Sequence, residues 1–384
     1  TRAGLMTGRY PNRFGIRTTV IPPWREDGLD ENEETLADML ARNGYSNRAI
    51  IGKWHLGHTR KVHYPINRGF SHFYGHLNGA IDYFDHMREG ELDWHNDWET
   101  CYDKGYSTEL ITQEAVRCIN TYEKEGPFLL YVAYNAPHTP LQAQEKDIEL
   151  YCDDFGSLTP KEQKRVTYQA MVSCMDRGIG TIVDALKKKG IMDNTFLIFF
   201  SDNGPAGVPG SSSGKLRGRK FDEWDGGVRV PAVFYWKRAE SNYKNLSSQV
   251  TGFVDIVPTL KELVGDKNRP ERAYDGISIL PLLIGSTSCI DRNFYLGCGA
   301  VVNKDYKLIR KGRKPGLNLP QDFLVDYQTD PYEKKNASNG NEQIVRSLYQ
   351  VALKYDTITP CLPEIPYGKG REGFKAPVEW KVTR

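Results

Sequence analysis

The sequence predicts an α/β fold: a large mixed, mostly parallel sheet flanked by helices, followed by a smaller C-terminal antiparallel sheet with one helix. Three observations predict it. The run Phe196-Leu197-Ile198-Phe199-Phe200 is continuously apolar and aromatic, the pattern of a strand buried on both faces in a parallel sheet. Apolar runs alternate with amphipathic helical patterns as far as residue 284. Beyond that point the chain turns to short strands separated by turns. The expected division is therefore a larger domain at residues 1–284 and an α+β subdomain at residues 285–384.

Taken in order, Leu5 and Met6 suggest a short helix ending at Gly8. A second helix is expected to open at Glu31 or Asn32, with Leu36, Met39 and Leu40 at helical spacing and Gly44 behind it. The strand Tyr45 to Ile51 runs into Gly52-Lys53-Trp54-His55-Leu56-Gly57. A helix from Ser107 to Lys124 is stopped by Gly126-Pro127, and the strand Phe128 to Tyr134 follows. A long amphipathic helix spans Thr159 to Lys189, then the strand Phe196 to Phe200, the strand Ala232 to Trp236, and a helix from Phe253 to Val264. In the C-terminal part, Phe294 to Cys298, Ala300 to Val302, Tyr306 to Arg310 and Asp322 to Tyr327 read as antiparallel strands, with a helix over Asn341 to Lys354.

The 384 residues carry a net charge of +2, which argues against bulk electrostatic binding of nucleic acid or a membrane surface. Anion recognition must be local. No apolar run approaches the roughly 20 residues that cross a bilayer. The opening Thr1-Arg2-Ala3-Gly4-Leu5 reads as the interior of a segment, so upstream chain is expected. The seven cysteines show no paired CxxC spacing, which speaks against a zinc site. Cys289 and Cys298 are compatible with a bridge in an oxidising compartment, and equally with buried thiols.

Chemistry collects at strand ends. Asp202 and Asn203 offer two adjacent hard oxygen donors after a buried strand, where open α/β sheets bind ligands; such donors suit calcium or magnesium better than zinc. An Asp-Asn-Gly turn capped by its own side chains is the competing reading. The cationic cluster Lys215-Leu216-Arg217-Gly218-Arg219-Lys220 tips the balance towards a site for a tetrahedral oxyanion. His138 lies between Pro137 and Pro140 on stiff backbone, which favours a positioned group. Seven of the eight histidines fall between His55 and His95, without the helical i, i+4 pairing of a metal motif. The surrounding aromatic and polar mixture, Asp82, Trp94 and His95 in particular, suits contact with sugar rings, although a surface loop with packed tryptophans would look the same.

The motifs together resemble the type I, formylglycine-dependent sulfatases of the alkaline phosphatase superfamily, over nearly the whole chain. Thr1 to Pro11 is similar to the second part of the sulfatase signature, and Gly52 to Gly57 to the family's second signature. Pro137-His138, Ser201-Asp202-Asn203-Gly204, Leu216 to Lys220, Asp225-Gly226-Gly227-Val228-Arg229-Val230-Pro231 and Asp255-Ile256-Val257-Pro258-Thr259 follow in family order. Asp225 stands where many relatives carry Glu. The resemblance implies sulfate-ester hydrolysis by a formylglycine made from a Cys or Ser just before Thr1, with two further metal-binding Asp residues upstream. It implies that Asp202 and Asn203 bind calcium, that Arg2 and Lys53 hold the formylglycine hydrate, and that His55 takes a proton from it. Lys220 and His138 would grip the sulfate, one of them protonating the departing alcohol.

The segments Asp82 to His86 and Leu92 to Trp94 look most like those of arylsulfatase B and the bacterial polysaccharide sulfatases. That implies a sulfated oligo- or polysaccharide as partner, a carrageenan or a glycosaminoglycan, and a periplasmic or secreted enzyme rather than a lysosomal one. A phosphatase or phosphodiesterase of the same superfamily, with two zinc ions, is the rival enzyme. A non-catalytic binder of sulfated glycans is the rival from another class.

Overall fold

The computed structural model describes residues 1–16, 20–242, 249–313 and 317–382. Helix α1 (Arg2–Thr7) ends at Gly8, whose left-handed φ of 68° closes it as expected. Helix α2 (Leu36–Arg42) begins later than expected. Thr35, not Asn32, is its cap, because Thr35 Oγ1 accepts from the Asp38 amide while the Asp38 carboxylate accepts from the Thr35 amide.

Strand β1 (Asn47–Lys53) is the hub of the main sheet. It starts two residues after the expected Tyr45, since the carbonyls of Tyr45 and Ser46 are taken by the Arg48 guanidinium. Parallel partners flank β1: β2 (His72–His76) on one side and, on the other, β7 (Phe128–Ala133). Between these in the chain lie the small hairpin of β3 (Met87–Arg88) and β4 (Glu91–Leu92), then β5 (His95–Asn96) and β6 (Glu99–Thr100), which extend the main sheet antiparallel in the order β6-β5-β2-β1-β7. Near its C-terminal edge the sheet is drawn tight. A methyl group at Gly75 would stand 2.2 Å from the Gly52 carbonyl oxygen, and one at Gly52 would stand 2.3 Å from that of Ala133.

Alternation along β1 dictates the layers. Ile50 packs with Met6, Leu36, Met39, Phe73 and Val257 on one face, so α1, α2 and α7 (Ile256–Leu263) cover that side. Ala49 and Ile51 pack with Ile111, Ile119, Ile182 and Leu186 on the other, covered by α3 (Ser107–Thr121) and α5 (Pro160–Lys189). The short helix α4 (Glu145–Ile148) is tied to α5 by an ion pair between Asp147 and Arg177 at 2.7 Å.

Strand β8 (Leu197–Phe200) departs from expectation. It pairs antiparallel with β9 (Ala232–Tyr235) in a sheet of its own, after which α6 (Asp225–Val228) is the intervening turn of helix. A cavity of about 1230 Å³ is lined by all of β7 and all of β8, together with Ile182, Leu186 and Leu260. Both strands are for this reason half-buried rather than sealed on two faces.

After the short helix α8 (Leu280–Leu283), strands β10 (Phe294–Gly297), β11 (Ala300–Val302), β12 (Tyr306–Ile309) and β13 (Phe323–Asp326) form the expected antiparallel sheet, and α9 (Glu342–Asp356) packs on it through Leu348 and Ala352. Lys307 of β12 is fully buried. Its ammonium donates to Asp225 Oδ1 at 2.5 Å and Glu333 Oε1 at 2.7 Å. The Cys289–Cys298 bridge left open by the sequence is not formed.

At the opposite edge of the main sheet from Lys53, His72 donates from Nδ1 to Asp97 at 2.9 Å and from Nε2 to Glu114 at 2.6 Å. Burial alone would depress this imidazole, but the hydrogen bonds to Asp97, Cys118 and Glu114 outweigh it and push its pKa up to about 11. A group raised in the folded state stabilises fully below its unfolded pKa of about 6.5, and that gain is lost as pH climbs towards 11. His72→Gln is therefore expected to cost about 1–3 kcal/mol at pH 6. The difference from wild type should shrink steadily between pH 7 and pH 10 in urea unfolding; a constant difference would contradict the charged pair.

Candidate active site

The site is built at the ends of β1, β7 and β8. Because β1 and β7 run parallel, Lys53 and the segment Asn135 to Pro140 emerge on the same edge. The turn after β8 brings Asp202 and Asn203, and the first turn of α1 brings Thr1 and Arg2. Lys220 arrives on a loop whose backbone amide donates to the Pro205 carbonyl at 2.8 Å. Arg2, Lys53, His138, Asp202, Asn203 and Lys220 all line the same cavity.

Asp202 is the focus. Its carboxylate accepts from Arg2 Nη1 at 3.1 Å, and its carbonyl accepts from Thr1 Oγ1 at 2.6 Å. The side chain is 42% exposed, to the cavity. Burial would raise its pKa; Arg2, Lys53 and Lys220 together hold it below the usual carboxylate range. Asn203 Nδ2 donates to the Gly204 carbonyl at 2.9 Å, and Oδ1 has no donor among the described residues. The turn itself is pressed against a second one. Gly204 donates to the Gly227 carbonyl at 2.9 Å, and a methyl group at 204 would lie 1.9 Å from the Gly226 carbonyl oxygen.

The basic groups are strongly perturbed. Burial, followed by repulsion from Arg2, Lys220 and Arg88, drives the Lys53 ammonium well below its ordinary value, against the pull of Asp202. His138 is pushed down to about 4 by burial and by Lys53. It lies between two cis X-Pro bonds, with Nδ1 donating to the Thr139 carbonyl at 2.8 Å. His55 is depressed by burial, Lys53, Arg2 and His58, and its Nε2 donates to the Ile21 carbonyl at 3.2 Å. A carbonyl oxygen can only accept, so each neutral ring carries its proton on the nitrogen named. Nδ1 of His55 and Nε2 of His138 are left with free lone pairs.

His55 follows Lys53 by two residues but is not among the cavity-lining residues; its ring packs on Gly79. The expected sugar contacts are corrected by burial. Trp94 is fully buried, stacked on His86 at 4.4 Å, and His95 is 2% exposed with Nε2 on Asp93 at 3.1 Å. Both belong to the core. Asp82 is occupied as a turn cap, accepting from the Phe84 and Asp85 amides at 2.8 Å and from Gln142 Nε2 at 2.5 Å. That turn reaches the site indirectly, through Tyr83, whose hydroxyl donates to the His138 carbonyl at 2.8 Å. Thr1 stands where a helix cap would, but its side chain makes no cap bond and instead donates to the Asp202 carbonyl.

The donor set suits a hard divalent cation: one carboxylate, one amide oxygen, and no soft ligand beside them. Two such ligands are fewer than the six to eight that calcium takes. Calcium would draw its further ligands from beyond these two residues.

The chain matches the Sulfatase family over residues 1–266. Arylsulfatase J of Mus musculus is 34% identical over 289 residues, covering 73% of this chain and 47% of the relative. N-acetylgalactosamine-6-sulfatase of Homo sapiens is 30% identical over 307 residues, covering 74% of this chain and 56% of the relative. The chain thus spans about half the length of the curated relatives it matches. The crystal structure of Ps i-CgsB in complex with k-i-k-neocarrahexaose superimposes with a TM-score of 0.82 at 29% identity, covering 95% of this chain and 83% of that one. The phosphonate monoester hydrolase of Agrobacterium radiobacter, at 17% identity and a TM-score of 0.61 over 92% of this chain and 85% of that one, shares the fold.

Proposed function

The chain belongs to the sulfatase family, and from that premise we propose that it hydrolyses sulfate esters on a sulfated carbohydrate. The observation that carries the reading is the convergence of Arg2, Lys53, His138 and Lys220 on Asp202 and Asn203 in one cavity, from segments scattered over 219 residues of chain. Calcium held by Asp202 and Asn203 would polarise a sulfate oxygen, and formylglycine would supply the nucleophilic hydroxyl.

The chain's own residues do the rest. Arg2 and Lys53 hold the anionic oxygens and offset charge as it accumulates around sulfur. His55 Nδ1, with its lone pair free, takes the proton released when the sulfate leaves. His138 is neutral at pH 7, and its free Nε2 is an acceptor, so it orients a donor near the ester oxygen. Lys220 Nζ is then the group with a proton to give the departing alkoxide. Water and the ester become alcohol, sulfate and one proton: the proton lost by the attacking hydroxyl makes good the one that Lys220 gives the alkoxide, and the one taken by His55 passes to solvent.

The similarity to the carrageenan-bound structure supports a sulfated polysaccharide or its oligosaccharides as the substrate class. Such substrates are met outside the cytoplasm, which favours a periplasmic or secreted enzyme. No described helix is long and apolar enough to cross a membrane. Screening the full-length protein against carrageenan and glycosaminoglycan oligosaccharides, with released sulfate as the readout, tests the reading; release from none of them counts against it.

Metal content separates sulfatase from the two-zinc phosphatase alternative. About one calcium per chain is expected, falling to near zero in Asp202→Ala. Two zinc ions per chain, or unchanged calcium in the variant, would overturn the assignment.

A further inference from the structure

We propose that Asp93 and Gly79, neither of which lines the cavity, are positioning residues that hold His55 in its working orientation. The inference rests on the proton-transfer role given to His55 above. His55 has a φ of 58°, a left-handed conformation that a residue with a side chain adopts only when its surroundings enforce it. The enforcing parts are visible.

Beyond the paired ends of β1 and β2, the ladder continues for two residues. The Trp54 amide donates to the His76 carbonyl at 2.9 Å and the His55 amide donates to the Leu77 carbonyl at 3.0 Å. The turn that offers these carbonyls is gripped by a single buried carboxylate. Asp93 Oδ1 accepts from the Leu77 amide at 2.9 Å, and Oδ2 accepts from both the Asn78 amide and Asn78 Nδ2 at 2.9 Å. His95 Nε2 adds a fourth donor at 3.1 Å.

Asp93 is fully buried, and four donors are what make a charge acceptable there. The next residue, Gly79, forms the wall of the imidazole. A methyl group at 79 would stand 2.4 Å from His55 Cε1 and 2.6 Å from Nε2, the nitrogen that donates to Ile21. Backbone placement of His55 thus runs through Asp93, and ring placement through Gly79.

The test compares Asp93→Asn, Gly79→Ala and His55→Ala in the full-length protein carrying its formylglycine, on a sulfated oligosaccharide that the wild type cleaves. Asp93→Asn keeps the volume but, in either orientation, turns an NH2 towards N–H donors. Gly79→Ala leaves the buried carboxylate and its bonds in place, so it remains informative where Asp93→Asn folds poorly. Both are expected to lower kcat per folded molecule about 10- to 100-fold with KM nearly unchanged, the signature of a misplaced proton-transfer group and not of a weakened substrate site. A kcat within about twofold of wild type in Gly79→Ala, or in folded Asp93→Asn, overturns the inference while a dead His55→Ala leaves the reading of His55 standing. Full activity in His55→Ala removes that reading itself.

Discussion

Lys53→Ala is expected to reduce sulfate-ester hydrolysis by about 100- to 1000-fold, with the fold and its unfolding transition preserved. The side chain is 95% removed from solvent and leads no described ion pair, so its loss withdraws a charge from the cavity without uncovering a partner. Arg2 is engaged with Asp202, whereas the Lys53 ammonium is open to an incoming anionic oxygen. Burial and its cationic neighbours make that ammonium costly to keep charged. A sulfate group entering the cavity relieves the cost, so the charge is worth most when substrate is present and reacting. The measurement is kcat/KM on a cleaved oligosaccharide beside the urea midpoint of each protein. Activity within tenfold of wild type at an unchanged midpoint would remove Lys53 from the chemistry.

Lys307→Met is expected to destabilise the protein by about 3–5 kcal/mol. Methionine conserves the volume but leaves the Glu333 carboxylate without a described cation and Asp225 with only Arg229, at 3.5 Å. Asp225 and Glu333 are both buried, and Glu333 is already raised by that burial even with Lys307 present. Asp225 also accepts from the Tyr327 hydroxyl at 2.8 Å, and its amide donates to Glu333 Oε2 at 2.7 Å, so the cluster joins β12, β13 and the segment after it to α6. The effect should extend to catalysis. Asp225 opens the turn whose Gly227 carbonyl holds Gly204, beside the proposed metal ligands. Chemical denaturation read by tryptophan fluorescence checks the first part, and a loss below about 1 kcal/mol would show that the carboxylates find other partners.

The site was more legible in the sequence than the sheet that carries it. Lys53, His138, Asp202 and Asn203 each follow an apolar run, and strand ends are where a parallel arrangement collects chemistry, so local pattern sufficed to find them. Trp94 and His95 were misplaced because an aromatic and polar mixture looks alike in a binding cleft and in a core; only burial distinguishes them, and burial depends on what packs from elsewhere. Strand β2 was missed altogether, since His72, Gly75 and His76 hide the apolar pair Phe73 and Tyr74. The antiparallel pairing of β8 with β9 was likewise out of reach: a continuous apolar run specifies depth, not the direction of its neighbour. Asp93 left no trace in the pattern, because its worth lies in amides fifteen and sixteen positions earlier in the chain.

Arg2 and Asp202 lie 200 positions apart in the sequence and 3.1 Å apart in space. A ribosome must therefore reach Asp202 before the pair can meet. The hollow is thus closed by contacts between distant parts of the chain, the kind that a folding polypeptide forms slowly.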